Sequence, residues 1–182
     1  MKIQNIFLFV IIILFGSCSS KDHLIFNNVP IDGHLGKFAS ELTKLGFIIS
    51  DSTKKNEIIL NGEFLNKDCK IYVFGTNKNN VAYKVIVELP TEVHDSLEYS
   101  FGKIQKLYSS KYGIGKSRYQ QYRKRERLVY NVPRRDIRIG DFTEYTTDSG
   151  YITIEVREGY ISITYLDKLN NEIRKREMDE NS

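Results

Sequence analysis

The chain reads as an α+β domain: tandem α-β-β-β units whose antiparallel strands share one sheet, with two helices packed on one face of it. Three observations predict this. Apolar residues recur at helical spacing in two segments, and each segment is followed by runs that alternate at period two. Glycine and Asn/Asp clusters stand at the ends of those segments, where the chain has to turn. No linker, low-complexity tract or change of composition divides the 182 residues, so a single domain is expected.

The first element is not part of that domain. Ile6 to Phe15 are ten consecutive apolar residues, preceded by Lys2 and followed by Gly16, Ser17 and Cys18. A bilayer-spanning helix needs about 20 apolar residues, so the run is too short for one. A charged start, a short apolar centre and a small-residue end form the pattern of a secretory signal. A buried first helix would instead carry a polar face, which this run lacks. The end of the run, Leu14-Phe15-Gly16-Ser17-Cys18, resembles the lipobox of bacterial lipoproteins, with Phe15 where that motif usually has leucine. The resemblance implies that residues 1–17 are removed and that Cys18 becomes an acylated, palmitate-type first residue. Residues 18–23 would then be a tether and residues 24–182 the domain. Acyl chains contribute about 0.8 kcal/mol per buried CH₂, so two or three of them hold a protein at a membrane without a spanning helix. The expected location is the cell envelope, at the outer membrane.

In the domain, Asp32-Gly33 is turn chemistry, and Asp32 is placed to cap a helix. Leu35, Phe38, Ala39, Leu42 and Leu45 form that helix's apolar face, and Gly46 stops it. Three strands follow, carried by Ile58, Leu60 and Phe64, then Cys69, Ile71 and Val73, then Val81, Tyr83, Val85, Val87 and Leu89. Residues 77–80 connect the last two, and Pro90 ends the run. Asp95 and Glu98 are spaced as a capping pair for a second helix with Leu97, Phe101, Ile104 and Tyr108 on one face and Gly113 as its stop. Strands are expected at 137–147, 151–157 and 160–166, with Ile152, Ile154 and Val156 on one side and Tyr151, Thr153 and Glu155 on the other. Residues 167–182 read as a polar tail holding a short exposed helix around Ile173.

Local reaction motifs are missing. Once Cys18 carries lipid, Cys69 is the one remaining thiol, so no intrachain disulfide forms; its period-two partners Ile71 and Val73 place it in the core. Gly113-Ile114-Gly115-Lys116-Ser117 ends like a phosphate loop, but Ser110 occupies the position of that motif's first glycine and a helix, not a strand, precedes it. His23, His34 and His94 are scattered near helix starts, with no metal-ligand spacing. No Gly-x-Ser-x-Gly elbow occurs, and Glu155 is a strand carboxylate of the solvated kind. No catalytic residue, metal or cofactor is expected.

Residues 116–138 stand apart. They hold nine Lys or Arg against two acids, net +7, in a chain of net +4. Arg123, Lys124, Arg125, Arg127, Arg134 and Arg135, with Tyr122 and Tyr130 interleaved, are the candidate partner-binding residues. Cations with aromatic rings between them suit a polyanion, because arginine meets phosphates and rings stack on bases. A basic edge or loop lying against an acidic protein surface or anionic headgroups has the same composition. A lipoprotein's compartment holds little nucleic acid, which favours a protein or an anionic surface polymer as partner.

Phe26-Asn27-Asn28-Val29-Pro30-Ile31-Asp32-Gly33, leading into Phe38 and Leu42 with Gly46-Phe47 at the end, resembles a family of uncharacterised lipoproteins from Bacteroides-type bacteria. Residues 142–152 and 163–170 are similar to that family's later strands, so the likeness covers most of 24–170, with no counterpart for 114–136. The order of elements also resembles the β-lactamase-inhibitor-protein type of fold, whose relatives include small lipoproteins that bind envelope proteins. These resemblances imply a lipid-anchored, non-enzymatic binding module. The alternatives are an envelope hydrolase with a site assembled from several strands and, after it, nucleic-acid binding through 116–138.

Overall fold

A computed structural model describes residues 23–91, 94–117 and 139–180. The signal segment, Cys18 and most of the tether lie outside the described residues. So do Tyr122, Arg123, Lys124, Arg125, Arg127, Tyr130, Arg134 and Arg135.

The chain opens with a small ribbon, β1 (Ile25–Phe26) and β2 (Val29–Pro30). Asn27 and Asn28 join its strands, both at positive φ, a conformation that asparagine tolerates and a two-residue hairpin requires. The main body is α1 (Leu35–Lys44), β3 (Ile48–Asp51), β4 (Glu57–Phe64), β5 (Lys67–Gly75), β6 (Ala82–Pro90), α2 (His94–Tyr112), β7 (Lys116–Ser117), β8 (Phe142–Thr146), β9 (Gly150–Arg157), β10 (Tyr160–Asp167) and α3 (Lys168–Asp179). Eight strands form one antiparallel sheet in the order β3-β4-β5-β6-β10-β9-β8-β7. Each large helix is thus followed by a meander, and the two meanders meet where β6 pairs with β10. The α+β class and the tandem arrangement are as the sequence predicts, with a further edge strand in each unit.

Alternation decides which side of the sheet is buried. Leu60, Cys69, Ile71, Val73, Val85, Val87, Leu89, Ile152, Ile154, Val156, Ile161 and Ile163 all sit in one core with Phe38 and Leu42 of α1 and Phe101 and Ile104 of α2. Both helices therefore cover the same face. Gly113, at φ 80°, donates its amide to Ser109 and ends α2, as the sequence indicates. The following Gly115-Lys116-Ser117 runs into the sheet: Lys116 pairs with Glu144 and Ser117 with Thr143, so the phosphate-loop pattern is edge-strand sequence. At Gly150 the chain comes so close to β10 that a Cβ would run into the Leu166 carbonyl, which accounts for glycine at the start of β9.

Several expectations need correction. The α1 cap is His34, whose Nδ1 accepts the Gly36 amide at 3.3 Å, and not Asp32. Two backbone bonds, Ala82 N to Gly33 O and Leu35 N to Asn80 O, fasten the chain to β6 and the turn before it, and leave His34 as the last extended residue. Leu45 terminates α1 and is half exposed instead of sharing its apolar face. Val81 and Tyr83 do not continue the core row of β6, because a register shift beside Gly75 puts Ala82 in the buried place. The strand expected at 137–147 begins at Phe142, after a turn at Ile139-Gly140. α2 starts at His94, one residue ahead of the capping Asp95 expected.

The polar tail is a docked helix, not an exposed one. Asn170 is buried and its amide donates to the carbonyls of Ile31 and Ala82, both at 2.9 Å. Glu177, also buried, accepts the backbone amides of Lys78 at 2.8 Å and Asn79 at 3.2 Å, so α3 is held to the β5–β6 turn by a charge-assisted clasp. Burial opposes that charge, but the hydrogen bonds from the Lys78 amide, the Thr76 hydroxyl and the Asn79 amide outweigh it and hold the carboxyl below its ordinary range. A depressed carboxyl stabilises the fold above the unfolded value near 4.5 and loses that contribution as pH falls through the folded one. Glu177→Gln should therefore lower the urea midpoint by more at pH 7 than at pH 3. An equal difference at both pH values would mean that the clasp does not depend on charge.

Candidate functional site

α1 and α2 lie on one side of the sheet, and the other side carries its remaining rows of side chains. Register places its residues in rows. One row runs Ile59, Tyr72, Ile86, Thr164, Thr153 from β4 through β9, and a second runs Phe74, Lys84, Leu166, Tyr151. A third row is polar: Lys70, Glu88, Ser162, Glu155. These side chains are mostly half-buried against one another, the packing expected of neighbours about 5 Å apart on a pleated surface.

The polar groups on this face are held. Tyr72 Oη donates to Glu88 Oε2 at 3.1 Å. Burial, and then the Glu88 charge, push the Tyr72 phenol up to about 12, so it remains a neutral donor. Glu155, expected to be solvated, pairs with Arg157 at 2.7 Å. Lys84 lies 4.1 Å from the Phe74 ring centroid, a cation–π distance. Burial, and next the charge of Arg174 on α3, keep its amine below the ordinary lysine range. Such a surface has aromatic and aliphatic area at its centre, paired charges around it and little side-chain freedom left to lose.

Comparison of the chain with protein-family models, with curated proteins and with solved structures finds no match. What the site does must come from its own chemistry.

Among the described residues, a thiol and a cluster of phenols are held in the interior. Cys69 is buried in the core, and burial, then the Asp68 charge, push its thiol up to about 11, far from a thiolate at neutral pH. Tyr108, Tyr112, Tyr145 and Tyr165 cluster beneath α2. The hydroxyls of Tyr108 and Tyr165 bond each other, Tyr145 donates to the Gln105 carbonyl, and burial raises Tyr108, Tyr145 and Tyr165. Phenols shifted upward stay protonated at neutral pH. Among the described residues no group of His, Cys, Asp and Glu is arranged to hold a metal.

Two of the predicted histidines have structural partners, and the His94 side chain lies outside the described residues. His34 caps α1. His23, expected to be exposed, is largely buried between Asp167, 3.3 Å from its Nδ1, and Asp32, 3.6 Å from its Nε2. It borders a groove of about 430 Å³ lined by Asp32, Leu169, Asn170, Glu172, Ile173 and Arg176. That lining contains no hydroxyl or thiol nucleophile for His23 to activate. The sequence could not show the open face as a unit, because Ile86 and Thr164 become neighbours only through the β6–β10 pairing.

Proposed function

We propose that this chain is a lipid-anchored, non-enzymatic protein of the cell envelope whose open sheet face docks another protein. One observation carries the reading: an eight-stranded sheet buries one face under two helices and presents on the other two neighbouring rows that bring together the half-buried Tyr72, Ile86, Phe74 and Leu166 and the exposed Tyr151, with Lys84 between Phe74 and Leu166. Apolar area of this kind, rimmed by charge, marks interaction surfaces. The lipobox-like end at Cys18 supports the anchor, and the resemblance in element order to the β-lactamase-inhibitor-protein type, whose relatives include lipoproteins that bind envelope proteins, supports a binding role. The envelope-hydrolase alternative would have to begin from His23, the histidine lying between two carboxylates.

The reading is tested by capture from envelope extract with the mature chain as bait. Tyr151→Arg, and separately Ile86→Arg, should weaken recovery of the captured partner at least tenfold, about 1.4 kcal/mol, while circular dichroism remains that of the parent. Deleting residues 118–135 should leave capture intact. The opposite pattern would assign docking to Arg123, Lys124, Arg125, Arg127, Arg134 and Arg135 and thus to an anionic polymer or acidic partner. Capture indifferent to all of these changes would remove the basis for a docking role.

A further inference from the structure

We propose that the outer face of α2, together with the groove between α2 and the β1–β2 ribbon, rests on the surface of an anionic bilayer; this builds on the lipid-anchored reading and adds an orientation to it. On α2, Tyr99, Lys103, Leu107 and Lys111 follow at intervals of four residues, which sets them in one row along the helix. All four are exposed, Tyr99 at 72% and Leu107 at 50%, and the row continues past the helix end to Ile114 at 100%. Soluble proteins scatter single apolar residues over their surfaces, but here three large ones share a stripe with lysines. From Tyr99 to Ile114 the chain contains Lys103, Lys106 and Lys111 and no acid.

The groove extends the same chemistry. It has a volume of about 250 Å³, and Ile25, Phe64, Leu65, Leu107 and Lys111 are among its lining residues, beside the polar turn Asn27-Asn28. No acid lines it. Leu65 is the unusual member, a bulky residue at φ 55° in the β4–β5 turn, a conformation that such side chains rarely adopt. The acids of that hairpin, Glu63 and Asp68, pair with each other at register positions that alternate with the core row, so they belong to the open sheet face. Exposed aliphatic and aromatic groups that enter a headgroup layer, with lysines that meet anionic lipids, are the two components of an interfacial contact.

The tether selects a membrane as the occupant. From Cys18 to His23 there are five residue steps, at most roughly 18 Å when extended. Two residues later Ile25 forms the groove wall. A domain of this length has a radius of gyration of about 15 Å and is therefore wider than its tether is long. A chain fastened at Cys18 is thus restricted to lying with the ribbon near the bilayer, and the stripe on α2 adjoins that ribbon. The open sheet face, on the opposite side of the body from α2, then points away from the membrane toward a partner.

The chain contains no tryptophan, so one introduced residue reports its own surroundings. The full chain, purified from cells with its native anchor, would be reconstituted into phosphatidylglycerol–phosphatidylcholine vesicles carrying brominated acyl chains. Leu107→Trp should emit to the blue and be quenched at least twofold, whereas Tyr151→Trp, on β9 of the open sheet face, should not be quenched. Combining Leu107→Trp with Lys103→Glu, Lys106→Glu and Lys111→Glu should abolish at least half of that quenching. Leu107→Trp unquenched on chains that float with the vesicles would overturn the proposed face and leave the anchor standing. Quenching of Tyr151→Trp in its place would do the same. A parent chain that fails to float would overturn the anchored reading and this orientation with it.

Discussion

Replacing Asp167 by alanine should cost the folded chain about 3 kcal/mol, the sum of a helix cap and an orphaned buried donor. Asp167 ends β10 with no exposed surface, and three groups converge on its carboxylate. The Leu24 amide donates to Oδ2 at 2.8 Å, the Asn170 amide donates to Oδ1 at 2.9 Å as the N-cap bond of α3, and His23 Nδ1 lies 3.3 Å away. Alanine removes the cap, worth about 1 kcal/mol. It also leaves the buried Leu24 amide without its acceptor, at about 1–3 kcal/mol. For a domain of this size each kcal/mol moves the melting temperature by about 2–4 °C, so thermal unfolding should begin about 6–12 °C lower. Hydrogen exchange should show α3 and the β1–β2 ribbon losing protection before the central strands. A melting temperature within about 2 °C of the parent would mean that the tail and ribbon are not secured through Asp167.

The position of Asp167 also shows what sequence alone can reveal. Alternation along β5, β9 and β10 is visible in the residues themselves because one face is dry, and the core found there is the one that Ile71, Ile152 and Ile154 predict. α2 was legible for the same reason, with Leu97, Phe101, Ile104 and Tyr108 at helical spacing. β3 was not: Ile48 and Ile49 are adjacent, both exposed, and pair only along one edge, so no alternation announces them. α3 looked like a solvated tail because its anchoring groups are Asn170 and Glu177, polar residues whose partners lie on Ile31, Ala82, Lys78 and Asn79, distant in sequence. The candidate face was half legible. Tyr151, Thr153 and Glu155 could be assigned to one side of β9, but their alignment with Tyr72 and Ile86 follows from strand order, a property of the whole sheet.

Phe26→Ala should be more damaging still, at about 3–5 kcal/mol for deleting a fully buried ring, and measured best as a shift of the urea midpoint. The Phe26 ring is not exposed at all and touches three others: Phe64 at 5.3 Å, Tyr165 edge-on at 5.1 Å and Phe47 at 6.5 Å between centroids. It joins the ribbon to β4, to β10 and to Phe47 in the turn between α1 and β3, so removing it opens a cavity where both meanders meet the ribbon. Phe26→Leu should recover more than half of the loss, because most of the volume returns while the ring contacts do not. Asp167 and Phe26 hold the same ribbon from its two sides, through Leu24 and through the aromatic cluster. Once one hold is gone the ribbon can detach, and the second then has less left to stabilise. The milder pair Asp167→Asn and Phe26→Leu should therefore cost at least 0.5 kcal/mol less together than the sum of the two alone, the size expected for coupled neighbours. Strict additivity would show that the ribbon does not come away as a unit.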